Sequence, residues 1–170
     1  MLTPIEVKYA AKQKENENIR FRTFLKCNAD EKVLDQQFYD LHVELFNSYD
    51  CSRCRNCCKE FHGTISQEEL DECAIALGVT TGDFMETYLK ECVNIGEYET
   101  KNMPCDFLLA NGECKLGESK PKGCKEFPYT NKPERLWSLY SVLNAASVCP
   151  VAFEIVERLK RIYRFSKFKT

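Results

Sequence analysis

Four thiols fall within eight residues in the run Cys51-Ser52-Arg53-Cys54-Arg55-Asn56-Cys57-Cys58, a C-x-x-C-x-x-C-C spacing that constrains this chain more than any other feature. Soft ligands packed this closely point to a metal or an iron-sulfur centre rather than to core packing. Cys105, Cys114, Cys124 and Cys149 follow and could complete the ligand set. A C-x-x-C turn lets two thiolates converge on one ion, and C-x-x-C-x-x-C is the spacing by which bacterial-type ferredoxins hold three corners of a cubane cluster. Eight cysteines would equally complete two tetrahedral four-thiolate zinc sites. On the residues alone, iron-sulfur stands ahead of zinc, and zinc stays open.

The rest of the chain shows what these thiols are not for. At 170 residues the protein is long enough to bury a core of its own, so cross-links are not needed merely to hold a mini-protein together. Residues 1–8 lack the charged segment, apolar run and small-residue cleavage site of a secretory leader, and no apolar stretch approaches membrane-spanning length. The expected setting is therefore the cytosol, where thiols stay reduced unless a metal holds them. An odd total of eleven cysteines, with Cys57 and Cys58 adjacent, also argues against a complete disulfide framework.

With 24 basic against 26 acidic residues, the charge balance offers no general attraction to nucleic acid or to an anionic membrane. A basic stretch near the end holds Arg158, Lys160, Arg161, Arg164, Lys167 and Lys169 beside Leu159, Ile162, Tyr163 and Phe165; a solvated helix face accounts for it.

The fold expected is mainly α, a single small domain of several helices around an irregular cysteine-rich metal-binding loop region. Leu34, Phe38, Leu41 and Leu45 recur at helical spacing, so one apolar stripe runs from Asp30 to Tyr49 and delivers the chain to Cys51; Asn28 or Asp30 is its cap. Ser66 with Glu69 fits a capping box ahead of Leu70, Cys73 and Leu77, and Gly78 is placed to stop that helix. A shorter helix follows from about Thr81 to Leu89, capped by Thr80 or Thr81, with Phe84 and Tyr88 paired along it.

From Asn94 to Lys132 glycine and proline interrupt every few residues, which reads as loop with short hairpin strands. A loop this long in a compact domain needs an organiser other than its own core, and Cys105, Cys114 and Cys124 supply one. Helix returns with Leu136, Leu139, Tyr140 and Leu143 on one face, then with Val151, Ile155, Leu159 and Ile162 after Cys149-Pro150. Pro150 suits a first turn, and Cys149 beside it lies where a helix dipole favours thiolate. The organisation expected is an N-terminal helical segment over 1–50, a cysteine-rich metal-binding core over 51–150 and a C-terminal helix over 151–170, all in one domain.

Other chemistry-bearing residues are weaker. Arg53, Arg55, Lys59, Lys115, Lys120, Lys122 and Lys125 surround the cysteines and read equally as ordinary surface charge or as cations that lower thiol pKa and offset the charge of a thiolate centre. Cys27, Cys73 and Cys92 stand alone and read as core or incidental residues. His42 reads as structural, and His62, four residues after Cys58, is the better ligand candidate of the two histidines. Glu68, Glu69, Asp71 and Glu72 read as solvated charge. No serine-hydrolase elbow, phosphate loop, His-Glu-x-x-His or dinucleotide fingerprint occurs, so any catalysis would sit on the metal.

Four blocks in order, Cys51-x-x-Cys54-x-x-Cys57-Cys58, Pro104-Cys105 with Gly112-Glu113-Cys114, Lys120-Pro121-Lys122-Gly123-Cys124-Lys125, and Cys149-Pro150, resemble the YkgJ-like cysteine-cluster family of zinc- or iron-chelating domains. The likeness spans Cys51 to Cys149 and includes the two helices between the first and second blocks. It implies a bacterial intracellular protein in which Cys51, Cys54, Cys57, Cys58, Cys105, Cys114, Cys124 and Cys149 ligate metal. The family often carries Arg-Pro-x-x-Cys-Arg at the third block, and lysines at 120 and 125 here weaken any role that needs a bidentate guanidinium. Members are often labelled iron-sulfur oxidoreductases, and the larger flagellin lysine-N-methylase shares the cysteine domain. Redox or protein-modifying chemistry with a redox partner is therefore one expectation. Its alternatives are a structural zinc module that binds a protein partner, and metal storage or delivery.

Overall fold

Helices form wherever the apolar period is strong. The computed structural model describes residues 1–165, so Lys167 and Lys169 of the basic stretch lie outside the described residues. The architecture is mainly α with one small sheet. Contacts divide the chain into two compact units: residues 1–50 with 128–170, and residues 51–127. By contacts, residues 128–150 group with the helices of the first unit.

In the first unit, α1 (Pro4–Gln13) starts at a Thr3–Glu6 capping box, and α2 (Glu15–Asn28) buries Phe21 and Leu25. Helix α3 (Glu31–Phe46) buries Leu34, Phe38, Leu41 and Leu45, the stripe expected, and Asp30 caps it by accepting the Val33 N–H at 3.0 Å. Two later helices complete the unit: α9 (Leu139–Ala146) and α10 (Pro150–Ile162). Their apolar faces differ in part from expectation. Helix α9 begins only at Leu139, which rotates the buried face to Leu139, Val142, Ala145 and Ala146 and turns Tyr140 to solvent. On α10, Val151, Ile155 and Leu159 are fully enclosed while Ile162 is half exposed in the last turn.

Lys160 departs furthest from the expected solvated face. It is only 5 % exposed, and its ammonium donates to Glu17 Oε1 at 2.9 Å, Asn18 Oδ1 at 2.6 Å and Glu157 Oε1 at 2.6 Å. Three acceptors match the three protons of the ammonium, so its charge is fully satisfied inside the unit. Arg158 pairs with Glu44 and Glu154, and Arg161 with Glu154, so three of the four described basic residues of the run are paired with carboxylates. His42 has a structural place, with Nδ1 2.8 Å from Thr130 Oγ1 and its ring 4.4 Å from that of Phe46.

The second unit opens with two short helices, α4 (Cys51–Cys54) and α5 (Asn56–Glu60). Arg55 joins them in the left-handed region at φ 49°, an uncommon conformation for a residue with a Cβ. Strand β1 (Thr64–Ser66) leads through a 3₁₀ turn into α6 (Leu70–Leu77), which Gly78 ends at φ 70°. Helix α7 (Thr81–Tyr88) is capped by Thr80, which accepts the Asp83 N–H at 3.1 Å. Strands β2 (Leu89–Glu91) and β3 (Glu97–Thr100) then form an antiparallel hairpin, and β3 also pairs with β1 in the sheet order β1-β3-β2. A last short helix, α8 (Lys122–Glu126), carries Cys124.

The core of this unit is Ile65, Leu70, Cys73, Phe84, Phe107 and Leu116 with their neighbours, and the Phe84 and Phe107 rings stack at 5.8 Å. Cys105 and Cys114 pack against it from the side, so the core holds two of the candidate ligands in place.

Candidate metal centre

Within the second unit, Cys58, Cys105, Cys114 and Cys124 line one cavity of about 30 Å³. Each comes from a different segment, and each segment has a local reason for its position. Cys58 rides on α5, and its carbonyl accepts the Cys105 N–H at 2.8 Å, which ties the second block of the sequence to the first. Cys114 pairs with Leu108 in an isolated antiparallel bridge closed by the tight turn at Leu109–Gly112. Cys124 is on α8, whose first amide, that of Lys122, donates to Glu69 Oε1 at 2.6 Å.

Glu69 is therefore not the solvated charge expected. Its other oxygen accepts from Ser66 N–H at 2.9 Å and from Ser66 Oγ at 3.0 Å, so a single carboxylate joins the start of α6 to the helix that carries Cys124. Burial works to raise its pKa, but the hydrogen bonds from Lys122 and Ser66 outweigh it and hold the carboxyl below the ordinary value.

The cavity has a shape suited to sulfur. Gly63 forms part of its wall, and a Cβ there would stand 3.0 Å from Cys124 Sγ, so the bare Cα is what admits the thiol. Arg55 and Lys120 also line the cavity and supply the positive charge that a set of thiolates needs. The remaining wall is largely apolar, from Ile65, Phe107, Leu108 and Leu116. Among the described residues no three His, Cys, Asp or Glu side chains already stand at ligating distance from one point. The four thiols share a cavity, and closing on an ion requires side-chain movement.

Their protonation differs for stated causes. Cys58 is pulled down to about 6, first by its contact with Cys57 Sγ at 4.0 Å and then, against burial, by Lys120, Arg55 and Lys59. Burial pushes Cys124 up to about 12, with Lys120 opposing, and burial likewise raises Cys105.

The other expected ligands are placed differently. Cys51 is exposed and Cys54 and Cys57 are half-buried at the corner of α4 and α5; none of the three lines the cavity. Cys149 is buried as the N-cap residue of α10 in the first unit. Cys73 is core, its thiol 3.4 Å from Ser119 O and pushed up to about 11 by burial. Cys92 is half-buried with its thiol 3.8 Å from Glu99 Oε1, and Cys27 is exposed. His62 does not line the cavity, and its enclosed Nδ1 has no hydrogen-bond partner among the described residues.

Sequence reasoning missed Gly63 and Glu69 as parts of the site, because both act through residues more than fifty positions away. No helix among the described residues is long and apolar enough to cross a membrane. Comparison with curated proteins gave no match, and comparison with solved structures gave none. Residues 50–150, more than half of the chain, match the family model described as "CxxCxxCC: Putative zinc- or iron-chelating domain". The cysteine blocks that meet at the cavity all fall inside that span, and the chain belongs to the CxxCxxCC family of metal-chelating domains.

Proposed function

We propose that Cys58, Cys105, Cys114 and Cys124 hold a single metal ion as four thiolates, zinc in the first instance, and that the ion organises the irregular segment through α8. One observation carries this reading: four cysteines from four separate segments line one cavity of about 30 Å³. Space of ~10–15 Å³ suffices for a single water, so a cavity of this size suits one ion better than a four-iron cube with its sulfides. A closed tetrahedral four-thiolate site serves structure rather than catalysis, and leaves the surface of the unit to bind a protein partner. Arg55 and Lys120 would offset the formal charge of −2 that four thiolates leave on a divalent ion.

A second reading has its own observation. Cys51, Cys54 and Cys57 all lie on the short α4–α5 segment outside the cavity lining, with ferredoxin-like spacing. They could supply three thiolates to an iron-sulfur cluster, and redox or protein-modifying chemistry would follow from that. Metal and acid-labile sulfide measured on protein purified without oxygen separates the two. Zinc without sulfide supports the four-thiolate site, whereas iron with matching sulfide overturns it in favour of the cluster. Rapid loss of either metal to a weak chelator would instead indicate storage or delivery.

The pH dependence of zinc affinity is a further check. Cys105 and Cys124 lie above the ordinary thiol value, so both enter protonated at neutral pH and both protons leave on binding. Affinity should then fall as pH falls, by about tenfold per unit for each proton displaced and so by at least about a hundredfold per unit once this pair is counted. Cys58, at about 6, adds to this slope only below that pH. Competition with a coloured chelator at pH 6.5 and 7.5 reads the slope directly, and a flat profile would exclude these thiols as ligands.

A further inference from the structure

Beside the cysteine cavity, and sharing Arg55, Leu108, Gly112 and Glu113 with it, lies an open groove of about 480 Å³. Arg53, Arg55 and Lys59 line one side of it, and the turn from Leu108 to Glu113 lines the other. Glu113 is its single acid, and that carboxylate is already engaged by Asn111 Nδ2 at 2.7 Å. Three cationic residues against one acid give its lining an excess of basic groups in a chain whose overall charge is slightly negative.

Two details show that the groove is built into the fold. Gly112, at φ 85°, would place a Cβ 3.1 Å from Ser52 O, so only glycine lets the turn close against α4 at this distance. Arg55 holds its left-handed conformation at the joint between α4 and α5, which directs one side chain to both the cavity and the groove. Its Nε is enclosed and has no hydrogen-bond partner among the described residues. A buried guanidinium donor left unmatched calls for an acceptor that the described residues do not supply, and a shift of the Arg55 side chain would bring it to one in the groove.

We propose that this groove binds a small organic anion, with a carboxylate or phosphate head held by Arg53, Arg55 and Lys59 and an apolar body lying along Leu108, Leu109 and Ala110. The volume is that of an ordinary small-ligand site, and the wall pairs charged groups with aliphatic ones as such sites do. Because its residues are not thiols, the inference does not depend on which metal the cavity holds.

The test is calorimetric titration of the metal-loaded full chain with phenyl phosphate and with benzoate, using benzyl alcohol as the uncharged control. Saturable binding of either anion is expected, and the tighter of the two identifies the head group. Arg53→Ala combined with Lys59→Ala should weaken it by about tenfold or more. Lys12→Ala combined with Lys32→Ala removes the same charge from exposed sites in the other unit and should change little. No saturable binding of either anion, equal binding of benzyl alcohol, or equal losses in the two double variants would each overturn the proposal. Metal content measured on the same samples keeps the two readings apart. Anion binding without bound metal would sink the four-thiolate site alone, and bound metal without anion binding would sink the groove alone.

Discussion

Cys124→Ser is expected to reduce bound metal to background and to unfold much of residues 51–127, while the helices of the other unit stay protected. Four-thiolate zinc ligation contributes on the order of 10 kcal/mol to the fold that presents it, and a hydroxyl in place of one thiolate forfeits most of that. The second unit has little with which to offset the loss. Its core is small, its sheet has strands of three or four residues, and none of its cysteines is in a disulfide. Units of this size commonly need a metal or a disulfide for stability. Elemental analysis gives the metal content, and amide exchange resolved by segment shows which unit opens. Cys73→Ser is the matched control: it places a hydroxyl in the same core at a cost of about 1–3 kcal/mol and should leave metal content unchanged. Full metal content after replacing Cys58, Cys105 and Cys124 together would end the four-thiolate assignment.

Lys160→Ala should lower the stability of the helical unit by about 3–5 kcal/mol, the cost of removing one partner from an enclosed ion network. Glu17 and Glu157, 12 % and 17 % exposed as side chains, would lose the cation they share with Asn18, and Glu157 would keep its other pairing, to Lys14. Thermal melts should show a fall of more than about 10 °C for a unit of this size. Acidification, which neutralises carboxylates, should narrow the gap to the parent protein. A gap that widens in acid, or a loss under about 1 kcal/mol, would mean that Lys160 only fills space. Arg158→Ala, at a pair with one exposed partner, is expected to cost about 1 kcal/mol or less.

The contrast between these lysines and arginines shows what could be read in advance. A basic run is visible in one dimension, but the carboxylates that enclose Lys160 come from α2 and from an earlier turn of α10, and no local pattern announces that they meet. Helix α3 was legible because burial on one face imposes its period on Leu34, Phe38, Leu41 and Leu45. The Ser66–Glu69 box and the Gly78 stop were legible because capping is local chemistry. Strands β1 and β2 were not, since three residues carry no readable alternation and their pairing to β3 is long-range. The face of α9 was misread because the helix starts later than the apolar run does, and that offset turns Tyr140 outward.

At the metal centre the same division holds. The spacing singled out eight thiols, and four of them line the one cavity. Spacing favoured grouping Cys51, Cys54 and Cys57, yet the shared cavity joins Cys58 to Cys105, Cys114 and Cys124. That grouping depends on the Cys58–Cys105 backbone hydrogen bond, on the bare Cα of Gly63 and on the reach of Glu69 to α8. Each links positions about forty to sixty residues apart, beyond what a motif can encode.

The split of the helical unit across both ends of the chain sets an order of assembly on the ribosome. Residues 51–127 are complete before the strand of translation reaches α9 and α10, whereas α1, α2 and α3 must wait for those last helices to supply the other half of their core. Domains fold as units while synthesis proceeds at roughly 5–20 residues per second, so the cysteine unit has several seconds in which to capture its ion alone. Metal supply during that interval would then govern yield: a nascent chain starved of it presents the nine cysteines of residues 51–127 and an unformed core at the moment the waiting N-terminal helices expose their apolar faces.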